Sequence, residues 1–504
     1  MIFFVNTALN YKMSGIEVSQ VEQIKLLDEH NIKAKIVTTD YLPDLHSTLE
    51  QNELVEDQSI NLYDFLEQND SFLKRTTNID NLHFPNTWDV QKTNTGYDYA
   101  FNNHKVVQVT FWENNYRQIN TVSFFNQNGD LYKEEVWNSL GYKELERFYD
   151  LSGNKSLENI IDPNGKVVCQ IHYSVNELNE IVPSLFQWIN YKNKNLTFIN
   201  EEEMIQFFLI EINKAEQERN NKLNYFIFDR PSKFTSVCLN IQMKSYKFLR
   251  IHSNHINYLN DNNKEINSNY FMALKNLSIW DGIIVSTKQQ KKDLQKIVGE
   301  QKPIIVIPAG YTRNNKKQVS WDERKKAEII YIGRFSLEKN QRDAIKVFIE
   351  INKRVPNAHL SFYGYVNDDS LFYLQKMVSE NHLENKVHFY EYLPKLDDIY
   401  NKAQLEILTS YTEGFSLVLL EGLEHGVPQI SYDINYGPRC FIKNYENGLL
   451  IKPGNIKKMA NEAAYLLEND RLLKKYSKNS YKISKEFSAD VVWKSWDNMF
   501  KQFN

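Results

Sequence analysis

The chain contains few cysteines, no long apolar run and no strong excess of either charge. Its three cysteines, Cys169, Cys238 and Cys440, are scattered over 504 residues, which is typical of a reducing compartment and excludes a Cys-rich metal site. No stretch approaches the roughly 18 apolar residues of a membrane span, and the apolar run before Asn6 is too short for a signal peptide. The formal net charge of −4 gives no reason to expect a nucleic-acid partner. These absences predict a cytoplasmic protein without a membrane span.

Apolar strands that alternate with helical patterns dominate both ends of the chain. The opening reads as a strand, "MIFFVN", a helix, "IEVSQVEQIKLLDEH", and a second strand, "AKIVTTDY". The same alternation resumes near residue 201, with buried strands such as "EIIYIGR", "LEILTS" and "PQISYD". Continuous apolar strands of this kind are typical of parallel sheets covered on both faces. We therefore predict two α/β domains, with a ligand in the cleft between them.

The region from about 60 to 200 has a different pattern. Short aromatic and β-branched runs alternate with tight turns, in which Gly129, Gly153 and Gly165 supply the positive φ that hairpins need. This pattern predicts an antiparallel, meander-like β insertion. Its many Tyr and Phe residues could form an acceptor-binding or oligomer surface, and they could equally be ordinary cross-strand packing.

Two glutamates bracket the apolar segment "SYTEGFSLVLLEGLEHG". The preceding strand should end just before it, and a helix should begin near Phe415 or Ser416. Glu413 would then lie in the loop and Glu421 on the helix, whose free N-terminal N–H groups favour an anion. Gly414 would let a ligand approach the backbone. Taken alone, the segment could also be an ordinary strand–helix junction with solvated acids.

A second polar group follows another predicted strand, in "YIGRFSLEKN". The strand ends at Gly333, and Arg334 and Lys339 come directly after it. An Arg fork and a Lys point charge just beyond a strand's carboxyl end suit a diphosphate. Two cations in a loop are common, so this motif is also weak by itself.

Together, the spacing "GR-x4-K" and the later "EGF-x5-E" resemble the nucleotide-sugar domain of family 4 retaining glycosyltransferases. The resemblance covers residues 1–50 and roughly 205–504. It implies an α/β protein of GT-B fold, in which two Rossmann-like domains face a cleft and the β-rich insertion belongs to the N-terminal domain. The implied domains are an N-terminal acceptor-side domain at 1–55 and 205–315, a β-rich insertion at 56–204, a nucleotide-sugar domain at 316–485, and a C-terminal helix at 486–504 that packs on the N-terminal domain.

The resemblance also implies a role for each matching residue. Arg334 and Lys339 would hold the donor diphosphate, Glu413 would contact the donor sugar, and Glu421 would bind the ribose. The segments "FYGY" and "EYLPKLDDIY" match those that surround the base. The further donor-binding residues implied in this way are Gly333, Gly364, Tyr365, Tyr392, Leu393, Gly414, Phe415, Ser416 and Leu417.

The N-terminal half supplies two further matches. "MSGIE" resembles the family's glycine loop, which would place Gly15 near phosphate and acceptor. "IHSNH" follows a strand, at the position where related enzymes carry a histidine that touches the donor sugar. Either His252 or His255 fits this catalytic role, and the sequence does not choose between them.

The insertion, "IHSNH" and "DINYGPRCFI" resemble one bacterial subgroup of the family. It contains enzymes that glycosylate serine-rich or Ser-Asp-repeat adhesins, and enzymes that glycosylate wall teichoic acid. The resemblance implies transfer of GlcNAc or glucose from a UDP-sugar, with a repeat protein as acceptor, or alternatively a teichoic acid polymer. A non-catalytic acceptor-binding subunit is the second alternative, and the insertion could mediate homo-oligomers.

No metal is expected as a cofactor, because Arg334 and Lys339 would supply the positive charge. The paired acids in "NDD" and "LDD" look like helix starts, where acids are common, and not like a metal site.

Overall fold

The structure is a computed structural model that describes residues 1–67, 73–112, 115–257, 265–313 and 318–503. The chain divides into two compact units. The first comprises Met1–Met13 and Ile32–Tyr246, and the second comprises Ser14–Asn31 and Lys247–Asn504. The predicted domain boundaries stay a prediction.

The secondary structure alternates as expected at both ends of the chain, and the described residues between 89 and 198 form strands joined by turns. The helices are α1 (Gly15–Glu29), α2 (Leu45–Gln51), α3 (Leu62–Glu67), α4 (Glu201–Asn220), α5 (Pro231–Asn240), α6 (Ser268–Lys275), α7 (Lys288–Val298), α8 (Gln341–Arg354), α9 (Ser370–Glu380), α10 (Asp397–Lys402), α11 (Leu417–Glu424), α12 (Pro438–Phe441), α13 (Ile456–Glu468), α14 (Asp470–Ser484) and α15 (Ala489–Phe503). The strands are β1 (Ile2–Asn6), β2 (Ala34–Thr38), β3 (Ser59–Asn61), β4 (Asp89–Lys92), β5 (Gly96–Phe101), β6 (His104–Trp112), β7 (Asn115–Phe125), β8 (Leu131–Trp137), β9 (Lys143–Tyr149), β10 (Lys155–Ile161), β11 (Val167–Val175), β12 (Ile181–Tyr191), β13 (Lys194–Phe198), β14 (Tyr225–Phe228), β15 (Tyr246–Ile251), β16 (Gly282–Val285), β17 (Ile304–Val306), β18 (Glu328–Ile332), β19 (His359–Tyr363), β20 (Val387–Tyr390), β21 (Leu405–Leu408), β22 (Gln429–Tyr432) and β23 (Gly448–Ile451).

The first unit combines parallel strands with the predicted β insertion. β1 pairs in parallel with β14 on one side and with β2 on the other, and β2 pairs with β3. Strands β4 to β13 form a separate antiparallel sheet in which each strand neighbours the next in sequence. Three of its hairpin turns use Gly129, Gly153 and Gly165, with φ of 86°, 78° and 83°. The order of the strands confirms the prediction of an antiparallel meander. Glycine suits these turns because it adopts a positive φ without steric cost.

The second unit contains two runs of parallel strands. β15, β16 and β17 are neighbours in one run, and the other is a six-stranded sheet in the order β20–β19–β18–β21–β22–β23. The chain leaves β18 toward one edge of the six-stranded sheet and returns to β21 at its centre. This is a point where the strand order reverses, and ligands of open parallel sheets bind outside the carboxyl ends of strands at such points.

The last helix, α15, packs against α1 within the second unit. The His30 and Trp493 rings stack with centroids 3.9 Å apart, and the Trp496 indole donates to Gln23 Oε1 over 2.6 Å. The apolar face of α15 is therefore covered by its own chain. Among the helices that the structure describes, none is long and apolar enough to cross a membrane.

Candidate functional site

An ion pair joins the two segments that the sequence singles out. The Lys339 ammonium lies 2.7 Å from Glu413 Oε1. Both groups are largely shielded, with 19% and 7% of their side chains exposed. Lys339 follows β18 and Glu413 follows β21, and these strands are neighbours in the sheet. The separation of 74 positions in sequence therefore becomes direct contact at one sheet edge.

Hydrogen bonds between the two loops fix this contact. The Thr409 hydroxyl donates to the Asn340 carbonyl over 2.8 Å, and the Asn340 amide donates back to the Thr409 carbonyl over 3.1 Å. The Tyr411 N–H donates to the Glu338 carbonyl over 2.9 Å. Because three bonds hold the loops in register, the ion pair sits on a rigid support.

Arg334 lies at the start of the same loop and is half-buried. Its guanidinium binds Glu338 Oε1, with Nε at 2.9 Å and Nη2 at 2.5 Å. Burial opposes the charge, but the Glu338 carboxylate outweighs burial and raises the pKa of Arg334. Arg334 is thus held as a cation next to the loop of Lys339, and a phosphate could replace or share its Glu338 contact.

The residues predicted to surround a base lie beside this loop. A Cβ on Gly364 would be 2.2 Å from the Gly333 carbonyl oxygen, so the backbones that follow β18 and β19 touch without room for a side chain. The Tyr365 and Tyr392 rings meet edge to face with centroids 6.0 Å apart, and Leu393 is exposed. These residues therefore form one partly open, aromatic surface.

The helix α11 begins where the sequence predicts. Ser416 precedes its first residue, Leu417, and has a φ of 69°, while Phe415 is buried. Glu421 lies one turn into the helix and accepts a hydrogen bond of 2.9 Å from the Tyr400 hydroxyl. Tyr400 is not among the predicted site residues. Burial first, and then the Glu421 carboxylate, raise the pKa of Tyr400, so its hydroxyl stays protonated and oriented.

Within the second unit, Gly414 marks a close backbone approach, and Gly15 lies in van der Waals reach of α11. A Cβ on Gly414 would be 1.7 Å from the His252 carbonyl oxygen, which no side chain could tolerate. Gly15, at the first position of α1, would place a Cβ 4.0 Å from Leu417 of α11. The predicted glycine loop, the histidine loop and the start of α11 are therefore brought together.

The two candidate histidines occupy different environments. His252 is half-buried, and its carbonyl faces Gly414. His255 is 1% exposed, and its ring stacks parallel to Tyr436 with centroids 5.9 Å apart. Burial lowers the pKa of His255 to about 4, so this imidazole is neutral at neutral pH.

Several residues to which the motifs give no role support the site. Glu338 contacts Arg334, and Tyr400, which ends the segment "EYLPKLDDIY" but has no individual role in it, contacts Glu421. Tyr436 lies in the "DINYGPRCFI" motif, which was used only to recognise a subgroup. That motif is the sequence feature from which a structural role of Tyr436 next to the site could have been predicted.

No metal-binding group accompanies these residues. Across the described ranges, no three His, Cys, Asp or Glu side chains are grouped so that they could hold a metal ion. The expectation that no metal is needed stays a prediction.

Comparison with known proteins identifies the C-terminal part of the chain. Residues 312–483 match the family model described as glycosyl transferases group 1. This range contains Arg334, Lys339, Glu413 and Glu421. The resemblance predicted from the two motifs is therefore confirmed.

Two curated bacterial relatives align with much of the chain. One is the poly(glycerol-phosphate) alpha-glucosyltransferase of Bacillus subtilis, 26% identical over 381 residues, which are 75% of this chain and 55% of that protein. The other is the GtfA subunit of a UDP-N-acetylglucosamine–peptide N-acetylglucosaminyltransferase of Streptococcus agalactiae, 23% identical over 538 aligned residues, or 98% of this chain and 97% of that one. The chain thus spans about half of the first relative and nearly all of the second.

Solved structures confirm the fold class. The pneumococcal O-GlcNAc transferase GtfA, in complex with UDP and GlcNAc, superimposes with a TM-score of 0.84 at 20% identity and covers 99% of this chain and 98% of its own. The chain is an α/β protein of GT-B type with an antiparallel β-rich insertion, and its residues 312–483 match the glycosyl transferases group 1 family.

Proposed function

We propose that the chain is a retaining glycosyltransferase that moves GlcNAc or glucose from a UDP-sugar to serine residues of a serine-rich or Ser-Asp-repeat protein in the cytosol. The observation that carries this proposal is the ion pair of Lys339 with Glu413, beside the Arg334 cation and at the start of α11. A nucleoside diphosphate-sugar offers two features to such a site. Its diphosphate matches the cations and the helix N-terminus, and its sugar hydroxyls match the carboxylate.

Charge balance suggests how donor binding would change the site. Each cation is paired with a carboxylate, Arg334 with Glu338 and Lys339 with Glu413. A diphosphate would add negative charge between the two cations, so that Lys339 would be shared by phosphate and Glu413. Glu413 would then be oriented toward the sugar by the same lysine that holds the leaving group.

The proposed reaction breaks the bond between the anomeric carbon and the diphosphate oxygen. The acceptor hydroxyl oxygen forms a new bond to the same face of that carbon, and its proton passes to the departing phosphate oxygen. UDP is the leaving product. Arg334 and Lys339 stabilise the charge that develops on the phosphate, and Glu413 lies near the positive charge that develops on the sugar ring. No metal is required in this scheme, because the two side chains supply the positive charge.

The remaining predicted residues take the roles that the resemblance gave them. We assign the base to Tyr392 and Leu393 beside Tyr365, and the ribose to Glu421. The backbone of Phe415, Ser416 and Leu417 would bind sugar hydroxyls and phosphate, with Gly15 opposite Leu417. His252 or His255 would contact the donor sugar.

An alternative acceptor is a poly(polyol-phosphate) chain of wall teichoic acid. It is favoured by the 26% identity with the Bacillus subtilis poly(glycerol-phosphate) alpha-glucosyltransferase. The protein acceptor is preferred because the Streptococcus agalactiae relative aligns over 98% of this chain, including the insertion. A non-catalytic subunit is a weaker alternative, because such a protein would have no need of the ion pair of Lys339 with Glu413.

A transfer assay decides among these functions. Purified protein is given radiolabelled UDP-GlcNAc or UDP-glucose with a Ser-Asp-repeat peptide or with purified teichoic acid, and product and released UDP are counted. We expect transfer to the peptide, with loss of at least 100-fold in the Glu413→Gln variant. Transfer to teichoic acid alone would select the alternative acceptor. If every donor–acceptor pair gives no transfer and no release of UDP, the enzymatic function is refuted.

A further inference from the structure

The loop between β22 and α12 packs against the segment that carries Glu413 and Phe415. Tyr436 in this loop is buried, and its backbone N–H donates to the Glu413 carbonyl over 2.9 Å. Glu413 is thus held at two points, by Lys339 through its side chain and by Tyr436 through its backbone. A shift of Tyr436 would therefore move the Glu413 carboxylate.

The two backbones are packed too tightly to move independently. A Cβ on Gly437 would lie 2.2 Å from the Phe415 carbonyl oxygen. On its other side, the Glu413 loop is pressed against His252, because a Cβ on Gly414 would lie 1.7 Å from that residue's carbonyl oxygen. The site loop is thus held between two other loops, at distances that leave no space for slippage.

The Tyr436 side chain connects this contact to the opposite wall. Its ring stacks on His255 with an interplanar angle of 9°, and its hydroxyl faces the Asp293 carboxylate of α7. Asp293 is itself fixed by Lys296 at 2.7 Å and by Gln289 at 3.0 Å. The ring therefore lies against His255, and its hydroxyl faces a carboxylate that is itself anchored.

The loop of Tyr436 is also braced internally. Arg439 lies 2.6 Å from Asp433 Oδ1 through Nε, and donates from Nη1 to Asn435 Oδ1 over 2.7 Å. These bonds tie the two ends of the loop to each other, with Tyr436 between them.

We propose that Tyr436 is a positioning residue for Glu413: stacked on His255 and bonded to the Glu413 carbonyl, it sets where the Glu413 carboxylate lies relative to Lys339. This inference rests on the proposed glycosyl transfer and adds to it. It makes His255 part of the support of the site, and it leaves His252, next to Gly414, as the histidine that faces the donor sugar.

The test is a double-mutant cycle that pairs Tyr436→Leu with Glu413→Gln. Leucine keeps apolar bulk but removes the flat ring and the hydroxyl. We expect Tyr436→Leu to lower kcat at least 10-fold, with the KM for the UDP-sugar changed less than 3-fold, in a protein that is destabilised but still folded at the assay temperature. Added to Glu413→Gln it should cause no further loss, because its effect passes through Glu413.

Tyr436→Phe and Tyr465→Ala are the controls. Phenylalanine keeps the stacked ring, and we expect it to restore kcat to within 3-fold of wild type. Tyr465 is an exposed tyrosine of α13, and its removal should leave kcat unchanged. If the Leu variant fails to fold, His255→Leu removes the same stack from the other side and enters the same cycle.

The outcomes separate this proposal from the proposed function. Without transfer by the wild-type protein, the function itself fails. If the wild-type protein does transfer sugar, the positioning role is overturned when Tyr436→Leu, or its substitute His255→Leu, retains full kcat. It is also overturned when the double variant with Glu413→Gln loses kcat by the product of the two single losses. It is also overturned if Tyr436→Phe is as impaired as Tyr436→Leu, because the stacked ring would then not be the support.

Discussion

Lys339 and Glu413 lie 2.7 Å apart at the carboxyl ends of two neighbouring parallel strands, and this pair organises the site. Both side chains are mostly removed from water, so each depends on the other for compensation of its charge. A donor that brings a diphosphate and a sugar would engage both members at once.

Removal of the lysine should weaken nucleotide binding. Lys339→Ala deletes a charged partner of the diphosphate, and loss of a charged hydrogen bond costs about 1.5–3 kcal/mol. We expect UDP affinity, measured by calorimetry, to fall by roughly that amount. Lys346→Ala is the matched control, because Lys346 is a more exposed lysine of α8 that pairs with Asp343. Equal affinities of wild type and Lys339→Ala would remove Lys339 from the diphosphate site.

A methyl group at Gly414 should damage the site more than one at an exposed glycine. In Gly414→Ala the new Cβ would meet the His252 carbonyl oxygen, so the loop of Glu413 must move, at a cost of about 1–3 kcal/mol for overpacking. We expect transfer activity to fall at least 100-fold.

Gly454→Ala serves as the comparison for this substitution. Gly454 has a φ of 78° and no atom near the added Cβ, so its variant should lose only about 1 kcal/mol of unfolding free energy and keep its activity. Both variants are followed by denaturant unfolding and by the transfer assay. A fully active Gly414→Ala protein would show that the close approach at His252 does not matter.

Much of the fold could be predicted from the sequence, because its signals are local. The periods of the strands and the turn glycines Gly129, Gly153 and Gly165 report directly on backbone geometry, and the meander follows from them. The two site loops were also found, since "GR-x4-K" and "EGF-x5-E" are compact patterns. The contact between these two loops could not be predicted, because it depends on the order of the strands in the sheet, and no local sequence pattern contains that order.

The supports of the site could not be predicted, because they depend on contacts between distant segments. His255 and Tyr436 are 181 positions apart, yet their rings stack in the folded chain. The different burial of His252 and His255 is likewise a property of the folded chain, which the motif "IHSNH" does not reveal. The bond from Tyr400 to Glu421 is another case, since both residues sit in ordinary helical patterns.

The hydroxyl of Tyr400 should matter for donor affinity. Tyr400→Phe removes the 2.9 Å bond that orients Glu421, the proposed ribose ligand, without changing the volume of the side chain. We expect the KM for the UDP-sugar to rise several-fold while kcat stays within about 2-fold, in keeping with loss of about 1 kcal/mol of binding. Tyr465→Phe, at an exposed tyrosine, should change neither constant. A fall in kcat at unchanged KM would place Glu421 nearer the reacting atoms than the ribose.

Chelation should leave the activity intact. The proposed site neutralises the leaving group with Arg334 and Lys339, and the described residues contain no cluster of metal-ligating side chains. We expect equal transfer rates with excess EDTA and with added Mg²⁺ or Mn²⁺. Strong inhibition by EDTA that Mg²⁺ or Mn²⁺ reverses would mean that the two cations do not suffice.

The buried imidazole of His255 should make stability depend on pH. Burial lowers its pKa from 6.5 to about 4, so the folded protein favours the neutral form. The contribution of neutral His255 to the free energy of unfolding is fully present above pH 6.5. It is lost as the pH falls toward 4, because in this range the unfolded chain takes up the proton and the folded protein does not. The loss amounts to about 3 kcal/mol over that window.

His255→Phe keeps a ring against Tyr436 but cannot titrate, so its urea midpoint should fall less than that of wild type between pH 7 and pH 4.5. The exposed His104 gives the matched variant, His104→Phe, whose midpoint should follow wild type. Parallel curves for wild type and His255→Phe would show that His255 is protonated as easily in the folded protein as in the unfolded chain.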